Sequence, residues 1–389
     1  MRQTTISRMP NSSIVSPENQ SVTFVELFFD LVFVFSVTQV VAFLHHGISW
    51  SSAGSAVIIF WLVWWAWTQF TWALNAANTD HHHIQIAMLV ATAIAFFMAI
   101  AVPEAFGSKA LLFAIAYVMV RLIGLYVYTK VTQTNKKQNE VVRSFFLASL
   151  GGLSAVVIGA VVGGPIQYWL WGLAILLDGL AARVAGQTDS MNLHPEHFVE
   201  RHGLIVIIAL GESLIVAATG LVGSELTVTL LTVGFLAVLI TCVLWWSYFP
   251  YVLPLLERGL VQTETWDEGS MARDAFSFGH FPLLCGIIAI SSAIEVAVSD
   301  PTTPLALEAR VAMSSGLVLF TVGAAYAQWR TIHILPRNRL FVIGVTGIVI
   351  VVVAGLLPWV TLLISVIGVA VVVIVEYVNC RPLVESPIG

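Results

Sequence analysis

The sequence predicts an all-α, polytopic membrane protein, folded as a bundle of transmembrane helices. Of its 389 residues, 58% are hydrophobic and 10% are charged, and the mean hydropathy is +0.90, whereas a soluble domain carries about 25% charged residues. The apolar runs are continuous and about 20 residues long, which is the length of a helix that crosses a bilayer. Transmembrane β-strands would instead show about 10 residues of alternating polarity.

The chain contains twelve such runs, which we interpret as twelve membrane spans. They lie near residues 24–44, 53–74, 84–103, 109–129, 141–162, 166–186, 202–221, 228–249, 272–298, 311–330, 339–357 and 359–378. Two sharp turns that contain proline, Gly163-Gly164-Pro165 and Leu357-Pro358, predict antiparallel hairpins on either side.

Features of the first half recur in the second half in the same order, which predicts an internal repeat. The matching segments are Phe24-Val25-Glu26 with Phe198-Val199-Glu200, the Trp-rich runs at 63–67 and 244–248, and the Ala-Tyr pairs at 116–117 and 325–326. Because six spans per repeat is an even number, the repeats keep one orientation and relate by an axis along the membrane normal. We predict a polar cytoplasmic segment at 1–22, repeats at 23–187 and 188–380, and a cytoplasmic tail at 381–389.

The basic residues predict the orientation. With a cytoplasmic N-terminus, only Lys109 and Arg310 fall outside and Arg121 falls within a span, while every other Lys and Arg lies on the cytoplasmic side. This is the positive-inside bias. Residues 1–22 lack an apolar core, so we expect no cleavable signal peptide. The expected location is the bacterial inner membrane, with both termini cytoplasmic.

Acidic residues inside the predicted spans are the main functional signal. A charged side chain at mid-membrane costs about 3 kcal/mol or more and marks a functional site by default. Glu212 lies near the middle of the seventh span, and Asp30 lies about 9 Å into the first span. Glu26 shares a helix face with Asp30, since four residues separate them. The neighbouring polar candidates are Thr38, Gln39 and Ser213.

A buried arginine cannot deprotonate, so Arg121 in the fourth span needs a carboxylate partner. Asp178 and Glu212 are both at a matching depth, and a purely structural pair with either is the simpler interpretation. Deep acids would still outnumber deep bases, which suits cations or protons. We therefore predict a polar centre between the repeats, with weaker candidates beside it. The centre comprises Asp30, Arg121, Asp178 and Glu212, with Glu26 and Glu200 at the inner helix ends; the weaker candidates are His280, Glu295, Arg201 and His202.

Other kinds of site find little support in the sequence. His81-His82-His83 and His194-Pro195-Glu196-His197 are predicted to be cytoplasmic loops, and neither has the H-E-x-x-H or Cys spacing of a metal site. No phosphate loop, catalytic triad or basic nucleic-acid patch is present. We expect no metal, no cofactor and no catalytic residues, and the tryptophans at mid-span are expected to pack as core or as a hydrophobic constriction.

Two motifs resemble a known family. E-L-F-F-D-L-V-F-V-F-S-V-T-Q, from Glu26 to Gln39, and E-R-H-G-L-I-V-I-I-A-L-G-E-S, from Glu200 to Ser213, are similar to those of the bacterial low temperature requirement A family. The resemblance implies this architecture from about residue 20 to about 380, but no biochemical activity. More distantly, Glu26, Phe28, Asp30 and Phe33 resemble the first-helix signature of the endolysosomal potassium channels marked by Phe-Ser-Asp, which implies a first helix that lines a pore.

Three functions remain open at this stage. We hypothesise that the protein conducts or transports cations or protons through the polar centre. The alternatives are a sensory module that binds lipid or another apolar ligand, and a membrane-embedded enzyme with a His and acid cluster near His81 or His194. We expect membrane lipids, and no nucleic acid, as partners. The sequence does not determine the oligomeric state, and a dimer is compatible with it.

Overall fold

The computed structural model describes residues 13–17, 20–45, 47–185, 193–263 and 265–385, and these are almost entirely helical. The helices are α1 (Phe24–His45), α2 (Trp50–Asn75), α3 (His82–Ala101), α4 (Ala110–Thr132), α5 (Lys136–Val162), α6 (Gly164–Ala185), α7 (Pro195–Leu221), α8 (Val228–Tyr248), α9 (Val252–Val261), α10 (Thr265–Ala272), α11 (His280–Ser299), α12 (Leu307–Ile332), α13 (Arg337–Val352) and α14 (Pro358–Glu385). A short 3-10 turn, Val102–Glu104, follows α3, and a π-helical segment, Arg273–Phe278, joins α10 to α11.

Each predicted span corresponds to one of the longer helices, which confirms the all-helical membrane fold. In the described part of the chain, ten helices are long and apolar enough to cross a membrane, and α6 and α13 are not among them. Helix α13 has 16 residues, or about 24 Å, which is shorter than a hydrocarbon core of about 30 Å. It ends five residues before the predicted end because Arg310 binds the carbonyl oxygens of Val351 and Val353, at 2.7 and 3.1 Å, where the chain turns toward Gly355.

Several helix starts also differ from the prediction. Helix α7 begins at Pro195 rather than near residue 202, because proline is well suited to the first turn of a helix, where its missing N–H costs nothing. The predicted loop at 195–197 is therefore wrong, and His197 is buried on the helix. His82 and His83 likewise open α3.

The two halves pack in corresponding ways. In the first half, α1 contacts α2 and α3, and the chain continues through contacts of α3 with α4, α4 with α5 and α5 with α6. In the second half, α7 contacts α8 and α11, and contacts of α11 with α12, α12 with α13 and α13 with α14 follow. The α2–α6 contact has its counterpart in α8–α14. This order supports the two predicted repeats, whose boundaries stay a prediction.

Close backbone approach fixes the α11–α12 pair. A Cβ added to Gly286 would lie 2.5 Å from the backbone nitrogen of Phe320 and 2.6 Å from the carbonyl oxygen of Gly316. Neither atom belongs to a flexible side chain, so even a methyl group would push the helices apart. Glycine here permits the tight helix contact that small residues give inside membranes.

Gly286→Ala is expected to lower the free energy of unfolding by about 1–3 kcal/mol, the usual cost of overpacking. Gly344→Ala on α13 is the control, because a Cβ there meets nothing within 4 Å; alanine should be neutral or slightly stabilising in that helix. Unfolding in mixed detergent micelles, followed by circular dichroism, measures both. Equal stability of the two variants would contradict this account of the α11–α12 contact.

Candidate functional site

A buried ionic cluster joins α1 to α7 near the end of the bundle where both helices begin, which we call the entry face. The cluster comprises Glu26 and Asp30 of α1 with His197 and Arg201 of α7, and we call it the α1–α7 cluster. Arg201 Nη2 donates to Asp30 Oδ1 at 2.5 Å, and Arg201 Nη1 lies 3.4 Å from Glu26 Oε1. His197 Nε2 lies 3.0 Å from the same Glu26 oxygen. All four side chains are excluded from solvent.

The spacing of these pairs sets the register of the two helices. Glu26 meets His197 and Asp30 meets Arg201, so a step of four residues on α1 matches a step of four on α7. Residues four apart share one helix face, and equal steps in the same direction mean that α1 and α7 run parallel. Arg201, a weaker sequence candidate, is thus the partner of the deep acid Asp30.

Helix α2 and the start of α1 complete the cluster. The Trp67 Nε1–H donates to Asp30 Oδ1 at 2.7 Å, and the Arg201 guanidinium lies 5.5 Å from the centre of the Trp67 ring. The backbone N–H and hydroxyl of Thr23 both donate to Glu26 Oε2 at 2.9 Å. Sequence reasoning missed Trp67, because nothing separates it from its tryptophan neighbours, and missed His197, although its i, i+4 relation to Arg201 repeats that of Glu26 and Asp30.

Hydrogen bonds fix the protonation of His197. The Asn75 Oδ1 accepts from the backbone N–H of His194 at 2.8 Å, so the other end of this side chain is the NH₂ group. That group lies 3.0 Å from the carbonyl oxygen of His194 and 3.3 Å from His197 Nδ1. His197 Nδ1 must then accept, which leaves its proton on Nε2, facing Glu26. His197 is therefore neutral in this arrangement.

His202 and His280 lie beside the cluster, and hydrogen bonds place a proton on Nδ1 of each. Each Nδ1 lies against a backbone carbonyl, that of Phe198 at 2.8 Å for His202 and that of Ala275 at 3.0 Å for His280. Because a carbonyl only accepts, each Nδ1 carries the proton. The Tyr248 hydroxyl lies 2.6 Å from His280 Nε2 and is the donor when that imidazole is neutral.

Several polar atoms of this region are buried without a hydrogen-bond partner in the described part of the chain. They are Asp30 Oδ2, Arg201 Nε, Arg201 Nη1 and His202 Nε2. Buried polar groups are nearly always satisfied, and an exception points to water, an ion or a functional role. Four such atoms around one ion pair make this the least satisfied part of the α1–α7 interface.

Arg121 and Asp178 form a separate cluster, inside the first half. The Arg121 guanidinium donates to both carboxylate oxygens of Asp178, at 3.0 and 3.1 Å. It also donates to the side chains of Gln69, Tyr117 and Ser149. No buried polar atom of either residue lacks a partner among the described residues. The structure thus removes this pair from the predicted centre, because α2, α4, α5 and α6 satisfy it completely.

Glu212 forms a second polar layer further along the same α1–α7 interface. Its Oε2 accepts from the Thr38 hydroxyl at 2.6 Å, and its Oε1 is buried without a hydrogen-bond partner in the described residues. The adjacent Ser213 pairs with Ser291 of α11 at 2.7 Å. Glu212 is therefore not the partner of Arg121.

An apolar stretch separates the two polar layers. Asp30 and Thr38 are about 12 Å apart along α1. The buried residues between the layers that continue the helix faces of Asp30 and Arg201 are Phe33 and Val37 of α1 with Ile205 and Ala209 of α7. The remaining candidates lie apart: Gln39 is half-buried on α1, and Glu295 is half-buried near the far end of α11.

A cavity opens at the entry face next to the α1–α7 cluster. Its volume is about 460 Å³, and its lining includes Gln20, Ser21, His194, Glu196, His197 and Glu200. Glu200 is exposed there and accepts from the backbone N–H of Val22 at 3.4 Å. His197 thus connects a solvent-facing cavity to the buried Glu26. Among the described residues, no group of three or more His, Cys, Asp and Glu side chains is arranged to hold a metal ion.

Arg121→Met is expected to destabilise the protein by about 3–5 kcal/mol, because it leaves the Asp178 carboxylate buried and unpaired. The double variant Arg121→Met/Asp178→Leu, which removes both charges, should recover most of that loss. Unfolding in mixed detergent micelles measures both variants. A double variant as unstable as the single one would show that the charge left behind is not the cause.

One of the comparisons with known proteins identifies a family. The sequence model of the bacterial low temperature requirement A proteins matches residues 21–375. An uncharacterized protein of Rhizobium meliloti (strain 1021) is 28% identical over 338 residues, which cover 82% of this chain and 80% of that protein. No solved structure matches the chain, and the distant similarity to potassium channels stays a prediction. Since the family match includes both motifs and most of the chain, the protein belongs to the bacterial low temperature requirement A family.

Proposed function

We propose that this protein moves protons or small cations across the membrane along the interface of α1 and α7. The observation that carries the proposal is the contrast between its two buried Arg–Asp pairs. Arg121 and Asp178 bind through two parallel hydrogen bonds with every polar atom satisfied. Arg201 binds only one oxygen of Asp30 and leaves the other bare. A pair kept only for structure can be as fully satisfied as the first. The Arg339–Glu376 pair of α13 and α14 also leaves one carboxylate oxygen without a partner among the described residues, but it lies away from the α1–α7 interface.

Access from one side supports a pathway. The entry-face cavity reaches His197, whose Nε2 binds Glu26, and Glu26 shares Arg201 with Asp30. Ionisable groups that connect a water-accessible cavity to a buried acid are the arrangement found in proton relays of membrane proteins. The acids Glu196 and Glu200 at the cavity wall also raise the local concentration of cations and protons.

A second acid on the same interface extends the pathway toward the opposite face. Glu212 is buried, contacts α1 through Thr38, and retains one carboxylate oxygen without a hydrogen bond. The apolar stretch around Phe33 and Val37 divides the two acids, so this conformation is closed between them. Transport would require α1 and α7 to separate or rotate, as repeats do in alternating-access proteins.

Binding of a lipid or another apolar ligand is the second candidate function. A cleft lined by Trp65, Trp72, Tyr128 and Phe145 lies between α2 and α5, with Ser277 of the second half at one side. Its volume is about 50 Å³, close to that of one or two water molecules. A lipid chain would therefore need a rearrangement of these aromatic side chains. For the enzymatic alternative, the His81–His83 segment does not line the entry-face cavity, whereas His194 lines it together with Glu196 and Glu200.

Asp30→Asn and Glu212→Gln are each expected to reduce ion flux by about tenfold or more, the effect of about 1.4 kcal/mol on a barrier. Both changes keep the shape of the side chain and remove its charge and its titratable proton. The measurement is flux in liposomes that contain the purified full chain, with fluorescent indicators for H⁺, Na⁺ and K⁺.

Asp178→Asn is the matched control, because Asp178 is likewise buried and paired with an arginine but lies off the interface. Its flux per correctly folded molecule should equal that of the unmodified protein. If Asp30→Asn and Glu212→Gln conduct as well as Asp178→Asn, or if no ion crosses with the unmodified protein, the proposed function is wrong.

A further inference from the structure

The geometry points to the proton, rather than a metal cation, as the species that this protein carries, and to Asp30 Oδ2 as the atom that binds it. This inference rests on the proposed function and names its substrate. It is argued from three features of the α1–α7 cluster: its charge balance, its hydrogen bonds and the position of Arg201.

The charges of the cluster do not balance without a proton. Two carboxylates, Glu26 and Asp30, face one guanidinium, Arg201, while the hydrogen bond from Asn75 holds His197 neutral. The nearest other imidazoles, His202 and His280, each hold the Nδ1 proton against a backbone carbonyl and, in the part of the chain that the structure describes, form no hydrogen bond or ion pair with Glu26 or Asp30. The histidines His82 and His83 of the neighbouring α3 are exposed at its start. One negative charge is thus left in a buried site, where an uncompensated charge is costly. One added proton makes the cluster neutral.

Hydrogen bonds decide which acid takes that proton. Glu26 is satisfied as a carboxylate, since Oε2 accepts twice from Thr23 and Oε1 accepts from His197 and faces Arg201. On Asp30, Oδ1 accepts from Arg201 and Trp67, while Oδ2 has no partner among the described residues. A proton added to Oδ2 converts Asp30 into a neutral carboxylic acid whose Oδ1 still accepts both bonds. No existing contact has to break.

Arg201 disfavours a metal cation at the same place. A K⁺ or Na⁺ ion bound to Asp30 would lie beside a guanidinium that is itself 2.5 Å from the carboxylate and cannot deprotonate. A fixed arginine of this kind is a barrier to cations in membrane pores. A metal cation also needs several oxygen ligands, whereas the neighbours of Asp30 are mainly N–H donors, from Arg201 and Trp67.

Infrared difference spectroscopy tests the binding atom in the purified full chain. At neutral pH the unmodified protein should show a carboxylic-acid C=O band that disappears in Asp30→Asn and persists in Asp178→Asn. Asp30→Asn is expected to fold, because an asparagine has the shape and neutrality of a protonated aspartate; size-exclusion chromatography checks this. A spectrum in which Asp30→Asn removes no such band would overturn the assignment to Asp30.

Flux in liposomes tests the species. A pH gradient alone should drive H⁺ flux that is unchanged when Na⁺ and K⁺ are replaced by N-methylglucamine, and Asp30→Glu should retain part of it while Asp30→Asn does not. Flux of Na⁺ or K⁺ that ignores the pH gradient would refute the proton while leaving the proposed function intact. A protein that passes no ion at all would refute the proposed function, and the infrared result would then separately decide whether Asp30 holds a proton.

Discussion

The structure depends on one guanidinium that two acids of the other half share. Arg201 on α7 reaches Asp30 and Glu26 on α1, and no other contact in the described interface places opposite charges from the two halves at this depth. Arginine keeps its proton in any protein environment, so the two acids stay close to the Arg201 guanidinium. These contacts fix the parallel register of α1 and α7. Without Arg201, Asp30 would keep only the Trp67 N–H as a hydrogen-bond partner among the described residues, and removing one partner of a buried ion pair costs about 3–5 kcal/mol.

Stability alone does not account for this arrangement. A buried ion pair is weak grounds for stability, since well-packed apolar residues often serve as well or better. The chain itself shows what a complete pair looks like, in Arg121 and Asp178 with their ring of hydroxyl and amide partners. In contrast to that pair, Asp30 Oδ2 and the Arg201 atoms Nε and Nη1 have no hydrogen-bond partner among the described residues. A proton bound to Oδ2 would explain why that oxygen accepts no hydrogen bond.

The sequence was sufficient for the helices and for the acids, but not for their partners. Continuous apolar runs predict spans, and the i, i+4 spacing of Glu26 and Asp30 predicts a shared face. Depth alone, however, could not choose between Asp178 and Glu212 for Arg121, because several side chains lie at the same level and only tertiary packing decides which helices meet. The sequence predicts a loop at His197 because the apolar run begins only near residue 202, whereas α7 begins at Pro195 and buries His197.

A second contact between the halves lies behind the cluster. Trp64 and Trp72 of α2 donate to the backbone oxygen and the hydroxyl of Ser277, at 2.8 and 3.1 Å, within the π-helical segment Arg273–Phe278. Such segments leave irregular backbone groups and often occur at functional sites. Trp64 also stacks on Trp67, which binds Asp30. A chain of contacts through Trp67 and Trp64 therefore links Asp30 to the π-helical segment that precedes α11.

Protonation and helix contact are linked by the same electrostatics. While Asp30 is ionised, its attraction to Arg201 in a low-dielectric interior holds α1 against α7. A proton on Oδ2 removes that charge, so the Asp30–Arg201 attraction falls to that of a hydrogen bond to a neutral group, and only Glu26 still pairs with Arg201 by charge. On the proposed function, the carried proton itself weakens the contact that closes the path. On the same proposal, the buried apolar stretch of Phe33, Val37, Ile205 and Ala209 is the barrier between the two acids, and it opens only when the two helices move.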